Sequence, residues 1–230
     1  MGIKNIFQSF LPHIAHIPLA EKVRSALAGG VAVLLLALAL KYLPQNTYPL
    51  IMLGSMAASA LLVFAIPHSP LAQPWNLIGG HLISALAGWL CILFIPEPSL
   101  AAGIAVGSAI FLMHFLNCLH PPGAATALIL ILNSTQFHTM GFTAVLSIVL
   151  INAFVSLLLA LLINNLIPGR HYPMRHTTQP PAKSAPLISL EQQDLELALV
   201  QMDGVIDVSE DDLAKIYELA LRNAEARNKK

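Results

Sequence analysis

The chain has 230 residues, 56% of them hydrophobic and only 10% charged, with a mean hydropathy of +0.70 and a formal net charge of zero. A soluble domain carries about 25% charged residues, so a water-soluble globule is excluded. Without a basic field, a nucleic-acid partner is not expected. Asp, Glu, Lys and Arg are absent from 42–96 and from 98–169. The apolar runs there are continuous rather than alternating, which marks an all-α, polytopic helical membrane protein whose main partner is the lipid bilayer.

Residues 1–24 read as an interfacial lead-in. Phe7, Phe10, Leu11 and Ile14 fall at helical spacing, and Pro12 and Pro18 interrupt it. No cleavable signal peptide is expected, because this stretch lacks a clean apolar core and a small-residue cleavage site. The membrane domain is expected over 25–171. Its first span is 25–43, opened by Lys22 and Arg24 and closed by the Lys41-Tyr42 anchor. The second is 48–66, where Gly54, Ser55, Ala57, Ala58 and Ser59 suit close helix contact. Pro67, Pro70 and Pro74 then exclude a regular helix before the third span, 77–95, which opens on Gly79-Gly80-His81. A turn at Pro96-Glu97-Pro98 leads to 99–118, with further small residues at Gly103, Gly107 and Ser108.

The stretch Leu119-His120-Pro121-Pro122-Gly123-Ala124-Ala125-Thr126-Ala127-Leu128 organises the chain. Two consecutive prolines cannot continue a helix running up to Cys118, but both suit the first turn of a new one. The reading is therefore helix, break, helix, with the N–H groups of Gly123, Ala124 and Ala125 aimed into the break. Irregular backbone at membrane depth survives only where protein buries it or where it lines a wet cavity. A helix N-terminus attracts anions. The segment 121–133 is only about 20 Å long at 1.5 Å per residue, too short to cross a roughly 30 Å core unaided. The polar run Asn133–His138 precedes the last span, 141–167.

Basic residues before the first span (Lys4, Lys22, Arg24) and after the last (Arg170, Arg175, Lys183) place both termini in the cytoplasm, so the crossings are even in number. Four full spans with a re-entrant hairpin of 99–118 and 121–133 satisfy this. So do six crossings. Gly54-Ser55 followed by Ile66-Pro67-His68-Ser69-Pro70 echoes Gly107-Ser108 followed by Leu119-His120-Pro121-Pro122. Transporters often hold substrate between such paired interrupted segments.

Residues 172–188 form a Pro/Ser/Thr linker. A cytoplasmic tail of two short helices is expected over 189–230. Ser189 and Gln192 make a capping box ahead of 190–203. Leu213, Ile216, Tyr217, Ala220 and Ala224 make an apolar stripe on 210–228. The tail is too small to hold a core alone. The small-residue faces admit a homo-oligomer. Cys91 and Cys118 lie inside apolar runs and read as buried spare thiols.

The candidate site residues cluster at the break. His120 can donate to an anion beside the Gly123 and Ala124 amides, carry a proton, or bond a carbonyl left by the broken helix. Pro121, Pro122 and Gly123 set the backbone. Thr126 can face substrate or back-bond a carbonyl. His81 either faces the cavity or caps its own helix. His114 and Asn117 share a face with Cys118 or His120 by four- and three-residue spacing, and make core polar contacts or bind substrate. Gln73, with Pro70, Trp75 and Asn76, borders the cavity if the two broken regions face each other. No CxxC or HExxH motif appears, so no metal and no cofactor are expected. The spans lack carboxylates, which argues against a cation carrier. No nucleophile elbow, Gly-rich nucleotide loop or paired carboxylate appears, so no enzyme is expected.

The His120-Pro121-Pro122 stretch resembles the signature of the HPP family of integral membrane proteins. Ser69–Asn76 with Ile78-Gly79-Gly80-His81 is similar to that family's other characteristic stretch. The likeness covers about 25–228. The tail from Gln193 to Asn228 resembles the segment that leads into a CBS-domain pair in longer bacterial members. Ending at Lys230 without that pair, the chain is not expected to carry adenine-nucleotide regulation through it. The resemblance implies at least four membrane helices and transport; plant chloroplast and cyanobacterial members are linked to nitrite movement. The expectation is an inner-membrane transporter or channel for a small solute, a small inorganic anion such as nitrite leading. The alternative is a non-transporting scaffold or sensor signalling through the C-terminal helices.

Overall fold

The computed structural model describes residues 17–43, 51–174 and Tyr217. The described residues contain seven α-helices and no strand: α1 Leu19–Tyr42, α2 Ser55–Ala65, α3 Pro74–Phe94, α4 Pro98–Phe115, α5 Pro121–Leu132, α6 Ser134–Met140 and α7 Phe142–Leu166. Residues 23–176 make one compact unit. Of the expected lead-in, 1–16 fall outside the described residues, while its end from Leu19 already belongs to α1; the expected tail over 189–230 also lies outside them, apart from Tyr217, which is helical.

Four helices are long and apolar enough to cross a membrane: α1, α3, α4 and α7. The number agrees with the four-span form of the sequence reading, which left six crossings equally open, but the set differs. The expected second span begins only at Ser55 and has 11 residues, about 16 Å. Before it, 51–53 is not helical, and Asn152 of α7 takes over its polar groups. Asn152 Oδ1 accepts from Leu53 N at 3.1 Å, and Nδ2 donates to the Ile51 carbonyl at 2.9 Å. Conversely, the segment expected at 99–118 is a regular full-length helix. Glu97 caps it by accepting from the backbone N–H groups of Ser99 and Leu100. These bonds, Leu100 first, hold the Glu97 carboxyl below the usual range.

Among the described residues, the prolines that open elements occupy positions suited to them. Pro74, Pro98 and Pro121 occupy the first turns of α3, α4 and α5, and Pro70 opens a single 3-10 turn over Pro70–Ala72. The polar run from Asn133 carries the short helix α6.

The contacts order the helices in direction. Leu53, Met56 and Val63 meet Asn152, Ser156 and Asn164 in sequence, so α2 runs parallel to α7. Gly54, Ser55 and Ser59 meet Ile129, Thr126 and His120, so α5 runs antiparallel to α2. At one end of the bundle, the break end, Trp75 and Asn76 bond the carbonyls of Leu116 and Leu119. At the other, the turn end, Trp89 packs on His138 and Phe142. Starting from the break end, α5 therefore makes a return pass, and α1, α2, α3, α4, α5 and α7 alternate in direction. Arg170 closes the ring at the break end, donating to Asn164 Oδ1 and to Ser25 Oγ at the start of α1.

Three apolar clusters fill the interior. One, at the turn end, joins Leu36, Leu53, Trp89, Leu130, Phe137 and Ile148. A second joins Ala32, Val63, Phe64, Leu77, Ala160 and Tyr172. In the third, α4 presents Ala101, Ala105, Ala109 and Met113, a four-residue repeat, to α3 and α5. Gly103 and Gly107 are exposed instead, with no atom near the positions their Cβ would take. Cys91 and Cys118 are buried thiols with no disulfide.

Candidate functional site

The site is made by two breaks that meet beside the start of α3. The first is 66–73, between α2 and α3; the second is 116–120, between α4 and α5. α4 ends in a Schellman motif: Cys118 N bonds the Met113 carbonyl and Asn117 N that of His114, with Asn117 at φ 52°. Asparagine tolerates this left-handed conformation better than most residues, which explains its presence at the stop. Its side chain is exposed. Asn117 thus ends a helix and stands apart from the buried groups, as does the exposed His114.

Glycine lets the second break press on α3. A Cβ on Gly80 would lie 2.5 Å from the Cβ of His120, and one on Gly123 would lie 2.8 Å from the carbonyl group of Gly80. This backbone approach sets His81, one residue on, edge-on to His120, with ring centroids 5.1 Å apart. The expectation that the Gly123 N–H points unbonded into the break is not met: it donates to the His120 carbonyl at 2.7 Å, closing the first turn of α5. Pro122 is buried, Ala124 half-buried and Pro121 exposed.

Around the two imidazoles runs one continuous chain of buried polar groups. His120 Nδ1 lies 2.9 Å from the Leu71 carbonyl, and its Nε2 lies 3.0 Å from Ser59 Oγ. Ser59 Oγ lies 2.9 Å from His81 Nε2. His81 Nδ1 lies 2.7 Å from Thr126 Oγ1, which lies 2.8 Å from Ser55 Oγ. All five side chains are at most 2% exposed.

The hydrogen order follows from the carbonyl, which can only accept. His120 must carry its hydrogen on Nδ1. In the neutral ring Nε2 then accepts, so Ser59 donates to it. Ser59 has no second hydrogen, so His81 donates from Nε2. The neutral His81 accepts at Nδ1 from Thr126, which leaves Ser55 as donor to Thr126. Every bond in the neutral chain therefore points toward Leu71. The opposite order, Thr126 donating to Ser55, requires a hydrogen on both nitrogens of His81.

Of the residues singled out from sequence, the fold gathers His81, His120 and Thr126. Gln73 lies in the first break and ties it together: its Nε2 donates to the carbonyls of Pro67 and Ser69, and its Oε1 accepts from Met174 N at 2.8 Å. Tyr172, just past α7, donates from its phenol to the Ala72 carbonyl at 2.7 Å, and burial raises the phenol above its usual range. Sequence reasoning read Ser55 and Ser59 only as small residues. Their four-residue spacing on one helix face was the signal that both would point the same way.

Beside Ser59 lies a cavity of about 10 Å³ between α1, α2, α3 and α7, lined by Ala32, Leu36, Val63 and Leu77 and by the polar Ser59 and Ser156. That is the scale of one water molecule.

A sequence model described as HPP, transmembrane region, matches residues 14–173. Two transmembrane proteins of Dictyostelium discoideum are similar. One is 42% identical over 128 residues, covering 54% of this chain and 45% of the relative. The other is 38% identical over 154 residues, covering 65% and 49%. The chain spans about half the length of these curated relatives. No solved structure matches. With more than half its length matched and the His-Pro-Pro break built as described, the chain belongs to the HPP family of transmembrane proteins.

Proposed function

We propose that the protein passes a small solute across the membrane by way of the Ser55–Thr126–His81–Ser59–His120 chain, a small inorganic anion such as nitrite leading. The observation that carries this reading is the chain itself. Five polar side chains are buried side by side in a membrane domain, where polar groups are costly and usually serve a pathway. All are neutral or cationic in character, and 42–96 and 98–169 hold no carboxylate to repel an anion. In this reading His120, His81 and Thr126 supply the ligand contacts, while Pro121, Pro122 and Gly123 hold the backbone around them. Arg24 and Arg170 lie toward the break end, so that end is assigned to the cytoplasm, with both termini on that side of the plasma (inner) membrane.

The test is nitrite flux into liposomes carrying purified protein, compared with nitrate, formate, chloride and protein-free vesicles. Alkaline pH suppresses leakage of nitrous acid. His120→Ala is expected to abolish saturable flux while membrane insertion persists; unchanged flux would sink the reading.

A second reading has its own support. Tyr172 and Met174, where the chain leaves α7, bond the first break through Ala72 and Gln73. A signal passing between the tail and the break would travel through these contacts. Deleting 189–230 separates the readings: flux retained without the tail favours transport, and no flux in any form of the protein favours the sensor.

A further inference from the structure

We propose that the His81–Ser59–His120 triple is a proton-binding site that couples anion passage to proton passage, so that the two cross together. The inference rests on the transport reading and adds its coupling ion.

The argument starts from the forced hydrogen order. In the neutral chain the only hydrogen of Ser59 is spent on His120 Nε2, and His120 Nδ1 is committed to the Leu71 carbonyl. Ser59 also lines the water-sized cavity. A hydronium ion arriving there can donate to Ser59 Oγ while Ser59 passes its own hydrogen to His120 Nε2. One hydronium O–H bond and the old Ser59 O–H bond break; a new Ser59 O–H bond and an Nε2–H bond form. Water is left in the cavity, and the positive charge moves onto His120. Ser59 now accepts from both imidazoles and turns its hydroxyl toward the cavity, as a donor.

That imidazolium has no built-in counter-charge. The pair itself bonds Ser59 of α2, Thr126 of α5 and the Leu71 carbonyl, with Ser55 beyond Thr126; the elements packed around it add Ser84 of α3, Met113 of α4 and the Cys118 thiol against Gly79, while Ser156 of α7 and the apolar face of α1 line the cavity beside Ser59. Tyr172 stands one carbonyl away, on Ala72. No Asp, Glu, Lys or Arg occurs in 25–40, 42–96 or 98–169. A buried charge without a partner is expensive in a membrane core. A mobile monovalent anion that displaces the water left there, widening the one-water cavity as it enters, and is held by the turned Ser59 hydroxyl supplies the missing charge. The loaded site is then neutral overall, as is the site with neither ion, so the cycle moves one proton with each anion.

The experiment uses the full chain in proteoliposomes, with nitrate as the probe because its conjugate acid is too strong to leak. Nitrate entry and internal pH are followed together, with and without an inward-acid pH gradient. The expected result is internal acidification that accompanies nitrate entry, and entry accelerated about tenfold by the gradient. Ser59→Ala is expected to lose that acceleration while its purified form keeps the wild-type elution profile. A second readout does not depend on flux. Nitrogen NMR of histidine-labelled protein should show His120 with its hydrogen on Nδ1 and His81 with its hydrogen on Nε2. Nitrate entry that builds a membrane potential and ignores the pH gradient would overturn the coupling and leave the transport reading standing. The opposite tautomers would overturn the relay. No nitrate or nitrite entry in the wild type would overturn both.

Discussion

The two breaks solve one problem by different means. Each interrupts a helix inside a membrane domain, where an unbonded carbonyl costs several kcal/mol. The first, 66–73, is largely self-supporting: Gln73 holds the carbonyls of Pro67 and Ser69 from within the same loop. The second, 116–120, stops α4 with its own Schellman bonds but relies on α3 for the rest, through Trp75 to Leu116 and Asn76 to Leu119. The breaks are joined by His120, which reaches from the second to the Leu71 carbonyl of the first. A histidine placed there is fixed in tautomer by a loop far away in sequence. Local bonding makes a break; only the meeting of two breaks makes a site.

The strongest way to break this arrangement is to push the second break off α3. Gly80→Ala puts a methyl group 2.5 Å from the Cβ of His120. A loss of about 3 kcal/mol or more is expected, enough to prevent recovery of folded protein. Gly103→Ala, with open space around it, is the neutral control. A thiol-reactive dye reports both, since Cys91 and Cys118 become accessible only on unfolding. Next comes a direct contrast of the breaks. Gln73→Ala strips the Pro67 carbonyl and Met174 N of their partner and leaves the Ser69 carbonyl with Ala72 N alone, and should cost about 2 kcal/mol by the same assay. Asn76→Ala strips one carbonyl and should cost about 1 kcal/mol. No loss in Gln73→Ala would mean that the first break does not depend on its own glutamine.

Asn117→Gly sharpens the picture in the other direction. Glycine relieves the left-handed strain at φ 52° and should raise stability by about 0.5 kcal/mol, with transport unchanged. A substrate-binding Asn117 would instead show lost flux. The smallest effect is expected far from both breaks. The native Glu97 carboxyl is held low by the Leu100 and Ser99 amides, so its support for α4 is present above the unfolded carboxyl range and fades as pH falls through the native value. Glu97→Gln should flatten the acid-side slope of the melting profile, lowering stability slightly at neutral and alkaline pH and leaving it unchanged below the native carboxyl value.

Much of this was legible in the chain. Pro121-Pro122 announced the break and the start of α5, because proline has so few places to go in a helix. His81, His120 and Thr126 stood out as polar residues in apolar runs. The misreadings share a cause. Whether 48–66 spans as helix was decided by Asn152, about a hundred residues away, which replaces the helical partners of Ile51 and Leu53. Likewise Ser59 looked like a spacer until His81 and His120 converged on it from helices 22 and 61 residues distant. Long-range side-chain partners leave no local period to read.

The placement of the two tryptophans has a practical consequence. They are the only two in the chain, and α3 carries one near each end. Trp75 is exposed and donates its indole N–H to Leu116, so its emission should redden if the second break lets go of that carbonyl. Trp89 is buried and stacked on the His138 ring, so its emission should shift if that stack opens. With Trp89→Phe and Trp75→Phe as single-fluorophore versions, the protein carries its own optical reporter for each face of the membrane, with no label attached.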